Sequence, residues 1–312
     1  MTNELQANQG APRSPSLGAA YAECRAIAKL EAKNFYYAFV ALPVPRRNAI
    51  CAIYAFMRKA DDLADDESVS REARRQQLDT WLAAWQTAHA GGETNDPVFI
   101  AVRDATRRFA ISTKLLDELV AGVTMDLQSA NADAPDTYAT FAELYKYCYL
   151  VASVVGLVCI RIFGYTDQRA EELAEETGIA FQLTNILRDV AEDAERNRVY
   201  LPLEDLAAHG VELDGLLHRK AGSAPTEAER ALLAEIGRRA EGYYKSAEEL
   251  LPLIDRESRA ALWVLVRIYH ALLKRIERAN FDVFSNRASV PMVEKIGILS
   301  VGLARMGFAR LF

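Results

Sequence analysis

Apolar residues recur at three- and four-residue intervals along nearly the whole chain, the spacing that puts them on one face of an α-helix. No stretch of useful length alternates apolar and polar residues as a strand would. The period predicts helices over residues 17–39, 47–65, 71–89, 98–109, 113–128, 138–163, 167–195, 226–250, 257–280 and 291–311. Leu42-Pro43-Val44-Pro45 closes the first helix and Gly91-Gly92 closes the third, both ordinary stop signals. Residues 202–222 read as loops or single turns. With no internal repeat and no Pro/Gly/Ser-rich interior linker, the expected fold is all-α. It is one domain over residues 17–312, a helical bundle around a central cavity, after a polar tail at 1–16 expected to be disordered.

Two interruptions of this pattern carry the chemistry. Asp61-Asp62-Leu63-Ala64-Asp65 and Asp189-Val190-Ala191-Glu192-Asp193 each place their outer aspartates four residues apart. On a helix that spacing stacks them on one face, roughly 6 Å apart along the axis. Both rows extend upstream at helical intervals, through Tyr54 and Arg58 in the first and through Gln182 and Asn185 in the second, with Arg188 beside it. The second row lies among Ala180, Phe181, Leu183, Ile186 and Leu187, where polar groups are costly unless a partner or ligand satisfies them. Alone, either cluster reads as a solvated helix face; the Arg71–Arg75 and Glu171–Glu176 runs are read that way. Two facing rows would instead make an oxygen-rich cleft suited to Mg²⁺, which completes its shell with water and phosphate oxygens. An arginine one turn from each row could grip a phosphate. An enzyme acting on a diphosphate is the reading from residues.

The chain has 312 residues, 37 basic and 43 acidic, for a net charge of −6, which argues against nucleic acid as a partner. Four cysteines without CxxC spacing read as buried thiols in a reducing cytoplasm, and the four histidines show no metal-ligand spacing. No run of about eighteen uninterrupted apolar residues exists, so a membrane-spanning helix is not expected. The apolar last helix could rest on the inner face of a membrane, docking over the bundle being the alternative.

Several segments together resemble the squalene/phytoene synthase family: Asn34-Phe35-Tyr36-Tyr37, Ala55-Phe56-Met57-Arg58-Lys59-Ala60-Asp61-Asp62, Gln182-Leu183-Thr184-Asn185-Ile186-Leu187-Arg188-Asp189 and Arg198-Val199-Tyr200-Leu201-Pro202. The resemblance spans most of the chain. It implies an isoprenoid synthase-type fold and head-to-head condensation of two prenyl diphosphates through a cyclopropyl diphosphate. It also implies two or three Mg²⁺ ions held by Asp61, Asp65, Asn185, Asp189 and Asp193. Tyr54, Arg58, Tyr147, Arg188 and Tyr269 would act at the reacting centre. Lys33, Asn34, Gln182, Arg198 and Tyr200 would join them in binding substrate, with Val151 and Val155 lining the chain pocket. Ala32 and Asn34 depart from a family pattern that often has serine there. Asp61-Asp62 and the Asn34 segment look more like users of fifteen-carbon farnesyl diphosphate. That substrate is therefore expected, with two twenty-carbon geranylgeranyl diphosphates giving phytoene as the alternative. No glycine-rich fingerprint for NADPH is present, although a nicotinamide bound otherwise stays open. A head-to-tail prenyl transferase, a terpene cyclase and a non-catalytic scaffold are the rivals. A monomer or weak homodimer is expected.

Overall fold

The computed structural model describes residues 14–66, 68–128, 135–220 and 222–311. Its elements are almost all helical: α1 (Leu17–Glu31), α2 (Lys33–Val40), α3 (Val44–Ala64), α4 (Arg71–His89), α5 (Pro97–Arg108), α6 (Thr113–Gln128), α7 (Phe141–Cys148), α8 (Val154–Phe163), α9 (Arg169–Glu195), α10 (Leu203–His209), α11 (Leu213–Leu217), α12 (Glu227–Leu250), α13 (Arg259–Arg278) and α14 (Met292–Leu311). The tail predicted at 1–16 lies outside the described residues through position 13. Ser14 already donates to Asn95 Oδ1 (2.5 Å), and the Ser16 side chain caps α1.

The predicted boundaries hold to within a few residues because the ends carry caps with a physical cause. Asp96 accepts from the first N–H groups of α5 with Pro97 behind it, and Thr226 with Glu229 closes a reciprocal capping box on α12. Three features depart from the sequence reading. The first predicted helix breaks at Ala32 (φ −75°, ψ 1°), so that α1 packs on α3 and α5 while α2 turns to pack on α13. No glycine or proline announces that bend. The segment predicted at 138–163 is split by a π-helical turn, Tyr149–Ser153. Residues 202–222 form the short helices α10 and α11, and a two-residue parallel ladder pairs β1 (Asp136–Thr137) with β2 (Arg198–Val199).

Helix α9 runs through the centre. Its most extensive packing is against α12, and it also touches the π turn, α8 and α13. Its buried positions, from Ala170 to Val190, occur on more than one side of the helix, as expected of an element with neighbours around it. On one flank, Phe56 of α3 meets Trp81 and Trp85 of α4 (centroids 4.7 and 5.0 Å), with Phe99 of α5 against both tryptophans. This aromatic cluster fixes α3, the helix that carries the first carboxylate row. The stretch Phe141–Phe163 is long and apolar enough to cross a bilayer by length and composition, although charged residues interrupt its apolar run. Here it packs against α6 and α9, so its apolarity serves the interior. All four cysteines are free; burial pushes the Cys24 thiol up to about 12 and Cys51 to about 11.

The π turn lies against α9 at a point where no side chain fits. A Cβ on Gly178 would lie 2.5 Å from Ser153 Cα and 2.7 Å from its nitrogen, both main-chain atoms that cannot swing aside. Ser153 Oγ donates to the Glu175 carbonyl (2.6 Å) at the same crossing. Gly178→Ala is therefore expected to destabilise the fold by about 2–3 kcal/mol, read as a lowered midpoint in thermal or urea unfolding. Gly242→Ala on α12, where a Cβ meets nothing within 4 Å, should be neutral or gain up to about 1 kcal/mol from helix propensity. Equal effects of the two changes would contradict this view of the crossing.

Candidate active site

Helix α3 presents Met57 and Asp61 to a cavity of about 210 Å³, with Asp65 at the helix C-cap. The opposite wall is Leu119 and Gly122 of α6, Tyr147 of α7, and Leu150 and Val151 of the π turn. The first carboxylate row thus borders an apolar wall. A π turn widens the backbone, and such turns recur at functional sites; this one sets Leu150 and Val151 toward the cavity. Val155, predicted to line the pocket with Val151, is half-buried and packs against the core as Val151 does, one turn beyond the stretch that borders this cavity. A Cβ on Gly122 would come within 2.7 Å of the Leu150 carbonyl, so glycine there lets α6 close on the π turn.

The second row sits on α9. Asp189 accepts from Arg188 through Nε (2.7 Å) and Nη2, and from Arg287 through Nη2 (2.7 Å) and Nε (3.0 Å). Burial alone would raise the Asp189 pKa, but the two guanidinium groups together hold it below the ordinary carboxylate range. Asp193, one turn on, behaves oppositely. Burial first and then the Asp189 charge push it up to about 7, against the pull of Arg198 and Arg196. Asn185 donates from Nδ2 to Gln182 Oε1 (3.3 Å) and hydrogen-bonds Tyr269, while its Oδ1 is buried without a hydrogen-bond partner.

Tyr269 of α13 joins the two rows. Its ring stacks on Phe181 of α9 (4.4 Å between centroids, 18° between planes). Burial pushes its hydroxyl up to about 12; Arg188 opposes the shift, while Asp189 and Tyr54 of α3 add to it. Tyr54 is likewise raised to about 12 by burial, with Arg58 opposing. Tyr269 of α13 thus lies within electrostatic range of both Asp189 of α9 and Tyr54 of α3. Arg58 pairs with Asp62 (2.6 Å) and keeps a buried Nε without a partner. Tyr147 stacks on Tyr200 (4.9 Å, 19°), and Tyr200, Arg198 and Asp193 border a small void of about 10 Å³ beneath β2. Arg198 also lies 3.8 Å from Asp136 on the neighbouring strand. Lys33 and Asn34 fall in α2, but their side chains lie outside the described residues.

The donors of both rows are oxygens, as a hard divalent cation requires. Two observations fit such an ion: the orphaned Asn185 Oδ1, and a half-buried Asp193 whose charged form is poorly supported by the protein alone. Among the described residues no three His, Cys, Asp or Glu side chains already converge as a closed cage. The sequence reading missed Arg287, which reaches Asp189 and Glu192 from the segment before α14. A loop residue shows no periodicity to mark it. It also missed Met57, Leu119 and Leu150, which are indistinguishable in sequence from ordinary core.

The sequence profile described as squalene/phytoene synthase matches residues 28–294. The chain is 34% identical over 302 residues to a 15-cis-phytoene synthase of Synechococcus elongatus, covering 93% of this chain and 94% of that protein. It is 36% identical over 298 residues to a phytoene synthase of Arthrospira platensis, at 91% and 93% coverage. Among solved structures it is similar to a dehydrosqualene synthase in complex with a ligand, with TM-score 0.80, 30% identity, and coverage of 93% of this chain and 98% of that one. It also superimposes on a squalene synthase of Alicyclobacillus acidocaldarius with TM-score 0.75, 26% identity, and 85% and 96% coverage.

Proposed function

Because the chain belongs to the squalene/phytoene synthase family, we propose that it condenses two geranylgeranyl diphosphates head to head into phytoene. The observation that supports the reaction class is the placement of Asp61 and Asp65 of α3 on a cavity walled by Leu119, Leu150 and Val151, with a second row, Asn185, Asp189 and Asp193, on α9, where Tyr269 lies within electrostatic range of both Asp189 and Tyr54 of α3. The twenty-carbon substrate, and not the fifteen-carbon one favoured by the sequence motifs, is supported by the phytoene synthase names of the curated relatives, which align over nearly their full length. The fifteen-carbon reading is kept as the second one, because the dehydrosqualene synthase structure is 30% identical.

In this reading Asp61, Asp65, Asn185, Asp189 and Asp193 would hold Mg²⁺, which would supply positive charge to neutralise the diphosphate as a leaving group. Arg58 and Arg188 grip phosphate oxygens beside each row. The C1–O bond of one substrate breaks, and the diphosphate keeps the electron pair. The double bond of the second substrate attacks C1, and loss of a proton closes the cyclopropane. A second C1–O cleavage, ring rearrangement and proton loss give the linear hydrocarbon without any reductant. Met57, Leu119, Leu150 and Val151 keep the cation from water. The rings of Tyr147 and Tyr269 can face positive charge, and the Tyr269 hydroxyl, pushed up to about 12 by burial, stays protonated at neutral pH.

Purified protein incubated with Mg²⁺ and either geranylgeranyl or farnesyl diphosphate, with and without NADPH, tests this directly. Phytoene from the twenty-carbon substrate is the expected product. A thirty-carbon hydrocarbon from farnesyl diphosphate alone would replace the substrate assignment. A cyclic product made from a single diphosphate, or chain extension with isopentenyl diphosphate, would overturn the reaction class.

A further inference from the structure

The loop that delivers Arg287 to Asp189 is fixed by residues the proposed reaction does not use. Helix α13 ends at Arg278, and the chain then reverses through Asn280 (φ 52°) and Phe281 (φ 55°), two successive non-glycine residues in the left-handed region. Asparagine tolerates that conformation, but an aromatic residue there is an outlier, and glycine would make the same turn without strain. A strained backbone kept beneath a large side chain points to a role for that side chain.

The Phe281 ring fills a notch on α12. A Cβ on Gly237 would lie 2.8 Å from Phe281 Cε1, 3.0 Å from its Cζ and 3.9 Å from Leu187 Cδ1 of α9, so the ring rests on bare backbone where the two helices meet. Two further holds flank it. Arg230 of α12 donates to the Asn280 carbonyl (2.8 Å). The Arg219 guanidinium lies over the Phe284 ring (3.9 Å) and is itself anchored by Glu229 and the Ala224 carbonyl. Val283 and Phe284 are buried, and Asp282 Oδ1 accepts from the Ser285 N–H (3.0 Å). The turn is thus pinned up to two residues before Arg287, whose half-exposed side chain then reaches Asp189 and Glu192. A long exposed side chain gains little from an ion pair unless its backbone is already in place. We propose that Phe281 is a positioning residue for the α9 carboxylate row: by locking the turn onto Gly237 it sets Arg287 against Asp189, and so sets how readily that carboxylate is released to a divalent cation. The inference rests on the metal reading of the row given above.

Mn²⁺ binding to the full-length protein without substrate, followed by electron paramagnetic resonance in a double-mutant cycle, tests it. Phe281→Gly removes the ring and the strain together, and Gly237→Ala displaces the ring. Each should tighten Mn²⁺ binding about two- to fivefold, the effect of freeing a carboxylate from a half-exposed partner. In an Arg287→Gln background neither change should alter Mn²⁺ affinity further, because the two residues act as one unit. Phe281→Leu keeps an apolar group in the notch and should retain most of the parental affinity. Arg230→Gln, which loosens the turn without opening the core, should shift affinity in the same direction as Phe281→Gly. A purely structural role would lower the unfolding midpoint and leave Mn²⁺ affinity unmoved, or move it equally with and without Arg287; either result would overturn the proposal. Absence of Mn²⁺ binding by the parent would overturn it together with the metal reading, whereas parental binding that ignores all of these variants would overturn this inference alone.

Discussion

Asp189→Ala is expected to lower turnover by at least about a thousandfold while leaving the far-ultraviolet circular dichroism unchanged. Asp189 occupies the middle of the α9 row, between Asn185 and Asp193, and its carboxylate is shared by Arg188 and Arg287. Removing it takes away a negative oxygen pair at the point where a divalent cation and a diphosphate would be neutralised together. Losing one preorganised electrostatic group commonly costs about 10²–10³ in rate. Here the loss is compounded, because two guanidinium groups are left facing each other without their common anion. The helix itself has little reason to unfold: α9 is anchored by Leu183, Ile186, Leu187 and Val190, all buried, and alanine favours the helical state. Asp189→Asn separates charge from shape: it should be nearly as inactive and should leave Arg188 closer to its parental position. Either variant retaining substantial activity with its prenyl diphosphate would remove α9 from the reaction. Arg287→Gln gives the complementary reading. It removes a competing cation from the carboxylate, so Mn²⁺ binding followed by electron paramagnetic resonance should tighten, independent of turnover.

The helices were legible because of their 3.6-residue apolar period, sharpened at several ends by a capping side chain or a nearby glycine or proline. The 71–89 and 113–128 boundaries agree with α4 and α6 for that reason. The carboxylate rows were legible because they violate the local pattern, acidic residues at helical spacing in otherwise apolar surroundings. What could not be read depends on the partners a helix meets. The bend at Ala32 serves contacts of α1 with α3 and α5 and of α2 with α13, which are far apart in sequence. The π turn at Tyr149–Ser153 has an ordinary helical composition, and its cause lies partly across the interface at Gly178. Arg287 was invisible because a loop arginine acquires meaning only when Asp189 stands 2.7 Å away.

The α9 row should also show its cost in stability. Asp193→Asn is expected to make the metal-free protein more stable at about pH 8, although the same change should abolish turnover. In the folded chain burial and the neighbouring Asp189 push Asp193 up to about 7, from 3.8 for an unperturbed group. The folded state therefore holds this proton more tightly than the unfolded one. The corresponding stabilisation is complete below the unfolded value near 4 and is lost as pH rises through about 7, after which the charged carboxylate opposes folding. A shift of this size in a fully sequestered group would correspond to about 4 kcal/mol at about 1.4 kcal/mol per pH unit. Asp193 is half-buried and solvent screens it, so a gain of about 1–2 kcal/mol is expected for the neutral isostere. In a protein of this size that is a rise of a few degrees in the unfolding midpoint in the presence of a chelator. At about pH 4 the two proteins should unfold together, because the parent is then protonated at the same position. Adding Mg²⁺ with inorganic diphosphate should reverse the order at about pH 8: the parent gains stability by binding, and the variant, short of one charged ligand, gains less. If the variant is no more stable than the parent in chelator, or gains as much from Mg²⁺ and diphosphate, Asp193 is not held charged at an energetic cost for the sake of a cation.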